Sequence, residues 1–380
     1  MVRAGGGPRE RGRRVGQTLT GEIERSLAFY RRWLGRRGCP PERLPELLAP
    51  FREAAAQGLP EGLATIEGMA EGAGVPFWEL FAVNAFEELE PLLGEPGMPS
   101  PAAATGAAAP LPEPPGSSGL RAAAAQRPEP PPGTSGDRCS TLTVAGAGAT
   151  LLGHNEQWLA GDLGNAAVVV DLPGAGGTAL ASPTVACCLP AVGVNGHRAA
   201  QGIQSLAAFD DGAGVPRVLV SRHALEAAGP DDAVRRASLP GRAGGYGHSL
   251  AFAGGAAMSV ETTATRVAVR PGPGAHTNHY TDPRLAAHAP AASAGSTARL
   301  ARLAALAAER APATPEAVME ILTDHGGAPL AICAHADDGD EESDAVVFSM
   351  VCDLEAGRMW VAAGPPCRTP FEEIDLTGVV

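Results

Sequence analysis

The chain has 380 residues and a formal net charge of −13, from 29 basic and 42 acidic residues. That acidic balance excludes the basic stripe by which nucleic-acid binders hold phosphates. Every basic residue is arginine, which excludes chemistries that need a lysine amine: Schiff bases, covalently held pyridoxal phosphate, a phosphate-loop lysine.

Residues 1–19 place Arg9, Arg11, Arg13 and Arg14 among glycines, a pattern expected of a disordered tail or, alternatively, of a contact for anionic partners. Residues 20–90 read as a helical N-terminal segment. Apolar residues recur at three- and four-residue spacing over 22–34 and 44–57, then over 63–72, and a Gly74-Val75-Pro76 break precedes 77–89. The segment has too little apolar content for a separate domain and is expected to pack on the rest; Glu87, Glu88 and Glu90 read as a solvated helix end. Composition then breaks sharply. Between Pro91 and Asp137 stand twelve prolines and no Phe, Trp, Tyr, Ile or Val. Residues 91–138 therefore cannot bury enough apolar surface to offset their ordering entropy, and a disordered Pro/Ala-rich linker is expected.

Residues 139–380 open with strand patterns over 141–144 and 150–152 around a glycine-alanine turn, followed by 167–172, 185–194 and 200–206. Helical patterns occupy 217–228, 230–238, 296–310 and 315–325, and strands are expected again over 249–252, 258–262, 266–269, 345–353 and 359–362. Strands in groups, then helices, then strands again predict an α+β protein of mainly antiparallel sheets flanked by helices. Seven cysteines, an odd number without framework spacing, suit a reducing compartment. No apolar run approaches membrane-spanning length and no secretory leader is visible, so a cytoplasmic protein without membrane or nucleic-acid partners is expected.

Three places concentrate chemistry. Cys139 stands where the linker meets the first strand; it is either an ordinary strand cysteine or, if the Arg138–Cys139 bond were cut, a thiol carrying its own α-amine as base. Gly153-His154-Asn155-Glu156-Gln157-Trp158 ends the second strand and either closes a loop or lines a pocket beside Cys139. In His276-Thr277-Asn278-His279 the two histidines lack a third ligand at helical spacing, so no metal is expected, while Asn278 offers an amide to a developing oxyanion. Cys187, Cys188 and Cys352 read as core residues, Gly193–196 as a turn, and Asp337–Glu342 as an acidic loop without calcium-loop spacing.

The order of these elements resembles the acyl-coenzyme A:6-aminopenicillanic acid acyltransferase family of N-terminal-nucleophile hydrolases. The resemblance rests on 68–75 with Asn84, Cys139-Ser140-Thr141, 153–158, 190–195, 214–217, 244–246, 259–263, 276–279, Ile332-Cys333 and the Trp360 region, in that order from about residue 20 to 370. It implies a four-layer αββα sandwich made as a precursor that cleaves itself at Arg138–Cys139. Two associated fragments of about 14 and 24 kDa, apportioned by length, would result. It further implies Cys139 as nucleophile, Asn278 as oxyanion donor, and a small amide or thioester as acyl donor, with water or an amine as acceptor. His154, Asn155, Glu156, Gln157, Trp158, His276, Ala334 and His335 become pocket candidates, and neither a metal nor an organic cofactor is implied. Departures are visible. The family's glycine before the nucleophile is Arg138 here, its substrate-contacting aspartate falls on Gln157, and its late arginine falls on Ala334, next to His335. Penicillin chemistry is therefore not expected, since a bound carboxylate would lose its cationic partner. The alternative is an inactive member that keeps the fold as a small-molecule-binding protein.

Overall fold

The computed structural model describes residues 1–93, 139–146, 148–174, 176–337 and 339–380. Nearly all of the expected linker, and Arg138 with it, lies outside the described residues. From the N-terminus run β1 (Val2–Gly6), α1 (Pro8–Thr18), α2 (Thr20–Arg36), α3 (Leu44–Gly58), α4 (Pro60–Ala73), α5 (Phe77–Asn84) and α6 (Phe86–Leu93). Then come β2 (Ser140–Gly146), β3 (Ala149–Leu159), β4 (Ala166–Pro173), β5 (Leu180–Val185), β6 (Gly193–Asn195), β7 (Ala199–Leu206), α7 (Arg217–Leu225) and α8 (Pro230–Ala237). The chain continues with β8 (Gly245–Phe252), β9 (Ala256–Thr262), β10 (Val267–Pro271), β11 (Gly274–His276), α9 (Pro283–Ala286), α10 (Ala294–Arg310), α11 (Pro315–Leu322), β12 (Asp344–Asp353), β13 (Arg358–Ala362) and β14 (Glu372–Glu373).

Among the described residues the strands form two sheets. One has eight strands in the order β1-β4-β5-β6-β7-β8-β9-β10, the other six in the order β11-β2-β3-β12-β13-β14. All pairings are antiparallel except β1 with β4. Leu152, Met350 and Cys352 from the smaller sheet meet Val168, Val170, Ala181 and Val194 from the larger between the layers. The larger sheet's outer face packs Leu250, Phe252 and Val260 against alanines of α7 and α8 and the turn between them. The smaller sheet's outer face packs Leu142 against Leu303, Leu306 and Ile321, and Leu151 and Val351 against Val318 and Leu322, of α10 and α11. This is the αββα order of layers. Side-chain caps start the helices on the smaller sheet: Ser293 accepts from Ser296 N–H before α10, and Thr314 from Ala317 N–H before α11.

Residues 1–19 depart from the expected tail. β1 extends the larger sheet and α1 lies against α4. The glycines that suggested disorder are what permits the contact: a Cβ at Gly12 or Gly16 would strike the Thr65 or Met69 carbonyl, and one at Gly68 or Gly72 the Arg9 or Arg13 carbonyl. Two helices carrying glycine four residues apart approach to backbone contact, and tertiary packing outweighs the weak helix propensity of glycine. Two of the four arginines are also engaged. Arg11 is buried against Asp171 of β4, and Arg9 pairs with Glu67 and Glu71 of α4. Helices α2–α6 join the same core through Trp33, Phe29, Phe81 and Phe86, which also takes in Val169, Cys187 and Leu219 of the sandwich.

The run 185–194 is not one strand. β5 ends at Val185 and β6 begins at Gly193; between them Asn84 of α5 donates to Cys187 O at 2.9 Å and accepts from Leu189 N–H at 2.7 Å. An apolar run does not reveal a side-chain amide from a distant helix that holds a turn open.

Candidate active site

Cys139 directly precedes β2, which pairs with β3 in register, so that Ser140 faces Asn155 and Thr141 faces His154. This pairing brings the 153–158 motif alongside the cysteine. Cys139 is buried, its thiol directed at Glu156 Oε1 (3.4 Å) and more weakly at the Gln157 carbonyl (3.9 Å). Burial, and then the Glu156 carboxylate, push the thiol well above its usual range. Loss of the thiol proton therefore requires an acceptor beside it.

Glu156 is itself part of a chain. Gln204 donates to Thr141 Oγ1, Thr141 Oγ1 is hydrogen-bonded to His154 Nδ1 (2.7 Å), and His154 Nε2 to Glu156 Oε2 (2.9 Å). One carboxylate oxygen faces the thiol and the other the imidazole. The Cys139, His154 and Glu156 heteroatoms all lie within 4.8 Å of one another.

The 276–279 motif supplies the other side. His276 is enclosed between Glu261 (2.9 Å) and the Thr277 carbonyl (2.7 Å). Thr277 donates to Ser296 O (2.9 Å), and His279 meets Ser296 Oγ (2.7 Å). With its three neighbours tied to β9 and α10, Asn278 is presented to Cys139, whose backbone N–H donates to Asn278 Oδ1 at 2.8 Å. Arg299 of α10 donates to the same oxygen at 2.8 Å and fixes the amide's orientation. Among the described residues Asn278 Nδ2 makes a single, long contact, to Ser205 O (3.4 Å).

A cavity of about 70 Å³ adjoins Glu156. Its walls are Val83 and Phe86 from α5 and α6, Trp158 of β3, Val192, Ile203 and Phe348, with Glu87, Cys188 and Tyr246 adding polar atoms. Of the pocket candidates, Glu156 and Trp158 line it. His154 and His276 are buried in the networks above. Asn155 and Gln157 are also buried, donating to Ile332 O (3.0 Å each), and Asn155 also to Leu322 O; neither faces the cavity, because a side-chain amide on β3 serves the adjoining loop. Ala334 O accepts from Val346 N, and His335 belongs to a separate cluster with His325, Cys333 and Cys367.

Three sites were misread from sequence. Glu88, expected at a solvated helix end, is buried and accepts from the Arg217 guanidinium (2.9 Å) and the Arg217 backbone N–H (3.1 Å) at the start of α7. Its neighbour Glu87 reaches Tyr246 and Ser205 at the cavity wall. Cys188 lines the cavity, whereas Cys187 and Cys352 are core residues. A signal was present: Glu87 and Glu88 interrupt the apolar run of α6 on adjacent faces, which a solvated end does not require.

The sequence profile described as acyl-coenzyme A:6-aminopenicillanic acid acyl-transferase matches residues 144–368, more than half of the chain. No curated protein matches it. Among solved structures the chain is similar to penicillin V acylase from Agrobacterium tumefaciens, at 13% identity over 63% of this chain and 86% of that one, with a TM-score of 0.43. It is also similar to the conjugated bile acid hydrolase from Clostridium perfringens in two variant forms. One matches at 12% identity over 63% of this chain and 93% of that one (TM-score 0.46), the other at 11% over 63% and 92% (TM-score 0.42).

Proposed function

This chain belongs to the acyl-coenzyme A:6-aminopenicillanic acid acyl-transferase family, and from that premise we propose that it is a self-processing cysteine amide hydrolase or acyltransferase acting on small amides or thioesters. The observation that carries the reading is the double engagement of Cys139: its nitrogen is held by Asn278 and its sulfur by Glu156.

In the maturation step the Cys139 sulfur adds to the Arg138 carbonyl carbon while Glu156 accepts the thiol proton. The Arg138–Cys139 C–N bond breaks, the proton passes to the departing nitrogen, and water opens the resulting thioester. Cys139 then carries a free α-amine with a reference pKa near 8. Asn278 Oδ1, already the acceptor of that nitrogen's hydrogen, orients the amine beside its own thiol. In turnover the amine takes the thiol proton, the sulfur attacks the acyl carbon, and the departing amine or thiol of the donor leaves with the proton. Water or an amine acceptor then releases the acyl group. Asn278 Nδ2, weakly engaged by Ser205 O, is the donor available to the tetrahedral oxyanion. The cavity admits a short acyl group between Trp158, Phe86 and Phe348. Helices α5 and α6 supply part of its wall, so the N-terminal fragment stays with the sandwich after cleavage.

Intact mass spectrometry of purified protein tests the reading, with two associated species of about 14 and 24 kDa expected. Cys139→Ala should remain full-length and inactive toward every amide and thioester tried. Wild-type protein that stays uncut and inert while binding small amides would point instead to a binding protein that has kept the fold.

A further inference from the structure

His325, Cys333, His335 and Cys367 belong to no step above. Their side chains converge from three places: the turn after α11, the segment leading into β12, and the turn after β13. The four candidate ligand atoms lie within 4.8 Å of one another. Cys333 Sγ and Cys367 Sγ are 3.6 Å apart, His325 Nε2 and His335 Nε2 3.0 Å, and His335 Nε2 stands 3.8 Å from Cys333 Sγ and 3.2 Å from Cys367 Sγ.

These separations are close to those of one coordination polyhedron. With Zn–S about 2.3 Å and Zn–N about 2.0–2.1 Å, a tetrahedron has edges of about 3.8 Å between sulfurs, about 3.3 Å between nitrogens and about 3.5 Å between unlike atoms. Two imidazole nitrogens facing each other also require a proton or a cation between them, because each carries a lone pair in the direction of the other. Two thiolates and two neutral imidazoles would balance a divalent charge, and two sulfurs with two nitrogens select zinc over calcium or magnesium. The scaffold is in place. Asp324 O accepts from Cys333 N–H (3.0 Å), while the Asp324 carboxylate accepts from Gly326 N–H (2.9 Å) and from Arg302 (2.9 Å to Nε). The His325–Cys333 loop is thereby braced on α10 independently of any ion. Cys367 and His325 are exposed, which gives a cation a path from solvent.

We propose that His325, Cys333, His335 and Cys367 form a structural zinc site. Four protein ligands leave no open position, so the ion is a clamp rather than a Lewis acid. It ties the turn around Cys367 to the loop whose Ile332 carbonyl receives Asn155 and Gln157, and so braces the segment behind β3 without touching Cys139. The sequence expectation of no metal missed the site because its ligands follow no familiar spacing; only Cys333 and His335 are neighbours, and Cys367 is brought in by the fold.

The test uses full-length protein, reduced, stripped with a chelator and titrated with Co²⁺ and then Zn²⁺. One cobalt per chain is expected, with visible bands of a tetrahedral ion and a thiolate charge-transfer band, both lost when zinc displaces it. Cys367→Ala and His325→Ala, changes at exposed positions, should each weaken binding by more than about 100-fold, beyond the loss from removing an outer hydrogen-bond partner. Cys139→Ala should bind like the parent. The proposal fails if uptake is not stoichiometric, or if both ligand variants bind normally. It also fails if binding is lost in Cys139→Ala instead, or if reduced protein takes up no metal and Cys333 and Cys367 oxidise to a disulfide.

Discussion

The smaller sheet carries sulfur at two of its margins, and the two settings differ in what surrounds it. Cys139 has a carboxylate on its sulfur and a carboxamide oxygen on its nitrogen, acceptors that can take or orient a proton. Cys333 and Cys367 have each other and two imidazoles, lone pairs that converge on a point. Among the described residues, no carboxylate belongs to the second cluster and a single thiol to the first. The proton acceptors around one thiol support the proposed attack, and the soft donors around the others support the proposed binding; burial alone distinguishes neither, since Cys139 and Cys333 are both buried.

That contrast can be broken most severely at Cys139. Cys139→Ala should abolish both chain cleavage and turnover, read by intact mass and by release of amine from a small amide, while cobalt uptake at the other cluster stays unchanged. Asn278→Ala tests the oxyanion role next. It should lower kcat by about 10²–10³-fold, the cost of losing one such donor, again with metal uptake intact. A variant that lost metal along with turnover would show that the two centres are not independent.

Gly68→Val probes the fold that serves both. The new side chain would strike the Arg9 carbonyl, and overpacking of this kind should cost about 3 kcal/mol in urea unfolding. The smallest effect is an acid limb. Burial holds the His248 imidazole down at about 3, so the unfolded chain takes up a proton near pH 6.5 that the folded chain refuses. The stability this group contributes is complete above about pH 6.5 and falls by about 1.4 kcal/mol per pH unit below it. Glu261 adds its own loss only further down. Burial raises its carboxyl, but hydrogen bonds from His276, Thr281 and Asp282 outweigh that and bring it to about 2. His248→Gln should flatten the profile between about pH 6.5 and 4.5, measured by urea unfolding at each pH.

Much of the site was readable because it is local. The strand-turn-strand pattern after Cys139 fixes a hairpin, and its register sets Thr141 against His154. Asn278 stood out as the one side-chain amide of its motif, able to donate to an oxyanion, and the structure sets it against the Cys139 backbone N–H. What escaped reading depends on distant segments. Gly12 and Gly16 suggest a loose tail when taken singly, and Gly68 and Gly72 sit within a helical pattern, until the two pairs meet as a helix crossing. Glu88 reads as solvated until Arg217 arrives 129 residues later.

The sequence by itself determined the alternation of strands and helices, the placing of a cysteine at the head of the first hairpin, and the polar motifs that accompany it, because periodicity and spacing are properties of neighbouring residues. The tertiary structure alone decided which arginine lies in the core, which carboxylate faces the thiol, and that two histidines and two cysteines meet. Those outcomes depend on the approach of segments far apart in the chain, and it is burial against a particular partner that gives a charge or a sulfur its chemistry.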